Sequence, residues 1–148
     1  MSSPELGKKT YSVPFVDRTE MRYEAKERGY CRLVMPLGPN ANHVDVMYMG
    51  AYTVLAEAAA ANPGISIIDP EKHFPIIKDI AVDFHRMAAS DVSAEFRLSE
   101  EEIATLEADL ARKGSATYVA EIPMLDADGA LAATGKVTVK LLSHHWDG

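Results

Sequence analysis

Between Val46 and Ala61 the chain carries a single charge, Glu57, in a run dominated by alanine and methionine. Such residues are good helix formers, and Asn62-Pro63-Gly64 behind them reads as a helix stop. A helix on a protein surface needs a polar face, and this one has none. It is therefore expected to be buried. In a chain of 148 residues, a buried helix needs a sheet wrapped around it or a partner subunit on its open side.

The flanking sequence supplies that sheet. Met21, Tyr23 and Ala25 alternate within Thr19–Ala25, and Cys31, Leu33, Met35 and Leu37 alternate within Tyr30–Leu37. With Lys26-Glu27-Arg28-Gly29 as the turn, the pair reads as a hairpin. A competing reading makes residues 18–27 a helix, with Asp17 as N-cap and Glu20 closing a capping box. Further strands are expected at Ile76–Met87, Val92–Leu98, Ala116–Leu125 and Leu131–Leu142, the last two joined by the turn Asp126-Ala127-Asp128-Gly129. Ser99 and Glu102 form a capping box for a short amphipathic helix that turns Ile103, Leu106 and Leu110 inward and stops at Gly114. Strands grouped after a buried helix give an α+β protein, read as a single domain over 1–148 with a loose arm over residues 1–12.

The formal net charge of -7, with no basic run, gives no footprint for nucleic acid. No stretch approaches the ~20 apolar residues of a membrane span, and the first ten residues lack the apolar core of a signal peptide. One cysteine, Cys31, makes no internal disulfide, so the expected location is cytoplasmic. His43, His73 and His85 are scattered without a ligand frame, so no metal site is expected. There is no Gly-x-Ser-x-Gly elbow and no Gly-rich phosphate loop.

Two local patterns add a resemblance. Asn42-His43-Val44-Asp45-Val46-Met47-Tyr48-Met49-Gly50-Ala51, followed by Leu55-Ala56-Glu57-Ala58-Ala59, resembles the helix signature of PaaI-like hotdog thioesterases. The interval of 15 positions from Asn42 to Glu57 matches. Phe84-His85-Arg86-Met87-Ala88 resembles the same family's aromatic-x-Arg-Pro-Ala strand end. The resemblance implies a hotdog fold, a curled antiparallel sheet around one long central helix. It also implies a homodimer, or a tetramer of stacked dimers, with acyl-CoA as substrate and no cofactor beyond that CoA. Tyr48 and Met49 stand where the family often has His and Gly. Ile77 falls near a strand position that often carries Ser or Thr.

The residues suggest a chemistry. A carboxylate on an apolar helix loses hydration, which raises its pKa and makes Glu57 a candidate general base or nucleophile. The first amides of the helix, at Met49 and Gly50, lack internal partners and can polarise a thioester carbonyl. Asn42 either positions water or carbonyl, or bonds its own loop. His43 and Tyr48 are further candidates beside the substrate, each with a structural alternative. Lys78, His85 and Arg86 lie where the resemblance places the CoA path, and an Arg fork suits phosphate. The activity expected is acyl-CoA hydrolysis. The alternatives are a non-catalytic acyl-CoA or lipid-binding protein, and an acyl-thioester dehydratase or hydratase.

Overall fold

The computed structural model describes residues 13–144; the arm expected over residues 1–12 lies outside them. The helical alternative for residues 18–27 is not what forms. A single helical turn, α1 (Pro14–Asp17), precedes the hairpin of β1 (Arg22–Glu27) and β2 (Tyr30–Met35). Strand β1 begins later than expected, and the chain reverses at Arg28-Gly29, with Gly29 at φ +74. Cys31, Leu33 and Met35 point into the core from β2.

Helix α2 spans Met49–Ile65, so it starts later and ends later than its composition suggests. It starts late because the preceding backbone is committed elsewhere. Asn42 N–H donates to Val46 O at 2.8 Å, Met47 N–H to Ala88 O at 2.8 Å, and Tyr48 N–H to Asn40 O at 2.8 Å. It ends late because Pro63 does not stop it. A proline in a helix leaves the carbonyl four residues earlier without its donor. Here that carbonyl is Ala59 O, and the Cys31 thiol donates to it at 3.5 Å. One residue on, the Tyr118 hydroxyl enters the ladder, donating to Ala60 O at 2.6 Å and accepting from Gly64 N–H at 3.2 Å. A Cβ at Gly64 would run into that hydroxyl.

Strand β3 (His73–Phe84), β4 (Val92–Arg97), helix α3 (Glu100–Lys113), β5 (Ser115–Leu125) and β6 (Leu131–Ser143) follow. The six strands form one antiparallel sheet in the order β1-β2-β4-β5-β6-β3. The sheet curls, and α2 packs against β2, β3, β4, β5 and β6. At Gly135 of β6 a Cβ would lie 2.8 Å from the Ala56 Cβ, so glycine there lets helix and strand close together. Alternation places Ala116, Tyr118, Ala120, Ile122 and Met124 of β5 inward. The capping box at Ser99 forms with both bonds, and Ile103, Leu106 and Leu110 of α3 are buried. Each of these aliphatic side chains contributes ~1.5–3 kcal/mol of burial.

Strand β3 starts at His73 and ends at Phe84, three residues before the expected Met87. It pairs with β6 alone and forms one edge of the sheet. Beyond it, the His85 and Arg86 amides both donate to Ala132 O, which turns the chain away from the strand line. Among the described residues no helix is long and apolar enough to cross a membrane.

Candidate functional site

The amino end of α2 is left open. Tyr48 occupies the N-cap position with extended backbone and gives no side-chain cap. The Met49 and Gly50 amides are the first two of the helix, so they have no carbonyl one turn back to bond. The same end concentrates positive dipole charge. Tyr48 and Met49 are 59% and 55% exposed, large apolar groups standing in solvent beside those amides.

A cleft of about 350 Å³ lies against this end. Asn42, Val46, Met47 and Met49 form one wall, with Tyr52 from the first turns of α2. Phe84, His85, Arg86 and Met87, from the end of β3 onward, form the other. The two sequence patterns that carried the resemblance are thus brought together across one opening. The Tyr52 and Phe84 rings meet edge to face, with centroids 5.5 Å apart.

Individual residues fare differently. Asn42 spends its carbonyl oxygen on its own loop, accepting from Val44 N–H at 2.9 Å and Val46 N–H at 3.2 Å. Its amide nitrogen is left for the cleft. A Cβ at Gly50 would meet the Tyr48 ring at 2.5 Å. The glycine is explained by this folded-back tyrosine, and the space beside it is occupied. His43 is exposed on the loop and Tyr48 stands outside the cleft lining. His85 Nε2 pairs with Thr134 Oγ1 at 3.0 Å. Arg86 Nε lies 3.9 Å from the Asp126 carboxylate, a loose pairing that leaves the Arg86 side chain 58% exposed. Lys78 sits mid-strand in β3, six residues and roughly 20 Å before Phe84.

Glu57 departs most from expectation. A wholly buried helix would hide it, but α2 has an open stripe, and Glu57 is exposed on it. It has no hydrogen bond or ion pair among the described residues. Crowding by the surrounding protein still pushes its carboxyl above the ordinary carboxylate pKa by desolvation. Eight residues separate it from Met49, or about 12 Å at the helical rise. It therefore cannot act on a carbonyl held at its own helix amides.

Met47, Tyr52 and Phe74 are large enough to line a pocket. Met47 and Tyr52 do line the cleft; Phe74 packs against His144 instead. What was not legible is that the Tyr52 hydroxyl is buried without a hydrogen-bond partner among the described residues. Nothing in the residue's sequence context signals that.

Curled sheet, packed helix and a cleft at the helix's amino end are the features of a hotdog-fold α+β protein. Residues 8–141 match the family model described as a domain of unknown function, DUF4442, and the chain belongs to that family. No curated protein matches the sequence. Among solved structures, a Pseudomonas aeruginosa protein of unknown function, described as a "probable thioesterase", is 34% identical. The alignment covers 96% of this chain and 94% of that one, with a TM-score of 0.83. A second Pseudomonas aeruginosa protein, a thioesterase solved as a glutamine-to-alanine variant, is 19% identical with a TM-score of 0.69, covering 87% and 86%. A Haemophilus influenzae thioesterase is 17% identical with a TM-score of 0.66, covering 95% and 99%. The last two likenesses establish the shared fold.

Proposed function

We propose that this protein hydrolyses acyl-CoA thioesters, using a site assembled from two copies of the chain. The observation that carries the reading is Glu57, the one acid on an otherwise uncharged α2, unpaired and with its pKa raised by desolvation. Its raised pKa means that the ionised form is partly desolvated, a modest cost that a second copy closing over the stripe would increase. The likeness to the Pseudomonas protein described as a probable thioesterase supports the class of reaction.

The roles follow from chemistry. A second copy laid against the open stripe of α2 brings its Glu57 to the first copy's cleft. The thioester carbonyl lies at the Met49 and Gly50 amides, with the Asn42 amide nitrogen as a further donor. Glu57 takes a proton from water, and the hydroxide oxygen bonds to the carbonyl carbon. Negative charge collects on the carbonyl oxygen against the helix amides. The C–S bond then breaks, and the thiolate leaves as the thiol with the proton Glu57 held. Exposed Arg86 takes a CoA phosphate in a fork. His43 and His85 border its approach, Tyr48 flanks the acyl group, and Lys78 is reserved for the distal end of the nucleotide. The unpaired edge of β3 is where the copies join. A pair of such dimers makes the tetramer.

The test is thiol release from a panel of acyl-CoAs, acetyl to palmitoyl with aryl and hydroxyacyl forms, by wild type and Glu57→Gln. Turnover by wild type, reduced roughly 10²–10⁴-fold in the variant, is the expected result for loss of a general base. Turnover independent of Glu57 removes it from the mechanism. Saturable acyl-CoA binding without turnover supports the non-catalytic alternative.

A further inference from the structure

Tyr52 is 3% exposed, and its hydroxyl has no hydrogen-bond partner among the described residues. A buried hydroxyl left unpaired costs about 1–3 kcal/mol, so such groups are rare unless something else satisfies them. Tyr52 lines the cleft at the amino end of α2, with the hydroxyl itself closed off from solvent. Tyr52 follows Met49 by three residues, so the two share a side of the helix. Long helical side chains lean back toward the amino terminus, which carries the hydroxyl toward the level of the free amides.

Its surroundings make it a donor. Burial raises its pKa, the Ala88 backbone amide lowers it in part, and the Asp126 carboxylate raises it further. The group is therefore a neutral phenol at any physiological pH. The Ala88 amide lies close enough to the oxygen to lower its pKa, yet the hydroxyl proton meets no acceptor among the described residues. The rest of the cleft supplies apolar walls in Val46, Met47, Met49, Phe84 and Met87. Met87, also in the cleft lining, is 74% exposed and thus lightly held, so the cleft wall can give where a ligand presses toward the hydroxyl.

We infer that the Tyr52 hydroxyl is a catalytic hydrogen-bond donor, contacting the carbonyl oxygen of the acyl group bound in this cleft. The inference rests on the thioesterase reading above and adds a side-chain donor to its backbone amides. It also accounts for an energetic oddity, a tyrosine at a core position where phenylalanine would fold as well.

The test uses the full-length protein and the acyl-CoA that wild type turns over fastest. Tyr52→Phe keeps the ring against Phe84 and removes only the oxygen. The expected result is a fall in kcat of about a hundredfold, typical for one oxyanion donor, with KM little changed. The melting temperature should stay level or rise, because the variant loses an unpaired hydroxyl and no bond. A kcat within about twofold of wild type overturns the assignment, and so does a loss of kcat that tracks a loss of stability. If Glu57→Gln is inactive while Tyr52→Phe is not, this assignment alone fails. If wild type releases no thiol from any acyl-CoA, the thioesterase reading fails and the assignment falls with it.

Discussion

The two ends of helix α2 are built on opposite principles. At the carboxyl end, groups that a proline would strand are met by side chains from distant strands. Cys31 serves Ala59 O, Tyr118 serves both Ala60 O and Gly64 N–H, and Tyr23 holds Asn62 at 2.7 Å. Ser66 closes the end, donating to Pro63 O at 2.6 Å and accepting from Gly29 N–H at 2.7 Å. At the amino end there is no side-chain cap, the first two amides have no carbonyl one turn back, and apolar side chains stand in solvent. One helix thus carries a fully bonded terminus for stability and an unfinished one for a ligand. Sites that bind are drawn from the less satisfied parts of a fold.

Substitutions can break this contrast. Gly64→Ala should destabilise most, by about 3 kcal/mol or more, because its Cβ strikes the Tyr118 hydroxyl inside a packed core. Tyr118→Phe should cost about 2–3 kcal/mol by leaving a buried carbonyl and amide unpaired. Denaturant unfolding of the two single variants and the double variant checks the pairing. If the two sites touch as described, the double loss is smaller than the sum, and strict additivity would argue against the contact. Cys31→Ala should cost about 1–2 kcal/mol through the lost thiol donor and lost volume. Burial pushes the Cys31 thiol up to about 12, so native protein should resist alkylation at pH 8 and label readily once unfolded.

At the amino end the expected stability effects are small. Tyr48→Ala should move the melting point little, since the side chain is mostly in solvent. Glu57, midway along α2, gives the smallest effect, with a definite sign. Its carboxyl holds a proton more tightly folded than unfolded. As pH rises from the ordinary carboxylate pKa to the raised folded value, the unfolded chain ionises first and stability is lost. Glu57→Gln should therefore match wild type near pH 3 and melt slightly higher at pH 7. The acid limb of the activity profile should likewise lie above the ordinary carboxylate range.

This asymmetry marks how far the sequence could be read. The uncharged helix, the hairpin turn at Gly29, the Ser99 capping box and the Asp126–Gly129 turn are local signals, and all of them formed. The extension of α2 through Pro63 was not legible. It depends on Cys31 and Tyr118, which lie 28 and 54–58 residues away in sequence. The late start at Met49 depends on Ala88, on another loop. The candidate site shows the same division. Asn42, Met49, His85 and Arg86 announced themselves by pattern and meet at one cleft, while Lys78 shares their strand region and lies far from it. The unpaired Tyr52 hydroxyl is a property of what surrounds it, and composition holds no trace of that.

The Tyr118 hydroxyl also bears on the order of events in folding. The last turn of α2 cannot complete its bonding until β5, more than fifty residues later in the chain, is in place. Early in folding, that turn is a proline-broken end with stranded carbonyls, and its closure waits on a long-range contact. Loss of the hydroxyl should then leave the folding rate nearly intact and appear as faster unfolding, the mark of an interaction made after the main barrier. The segment that looks most local, a helix terminus, would be among the last parts of the molecule to set.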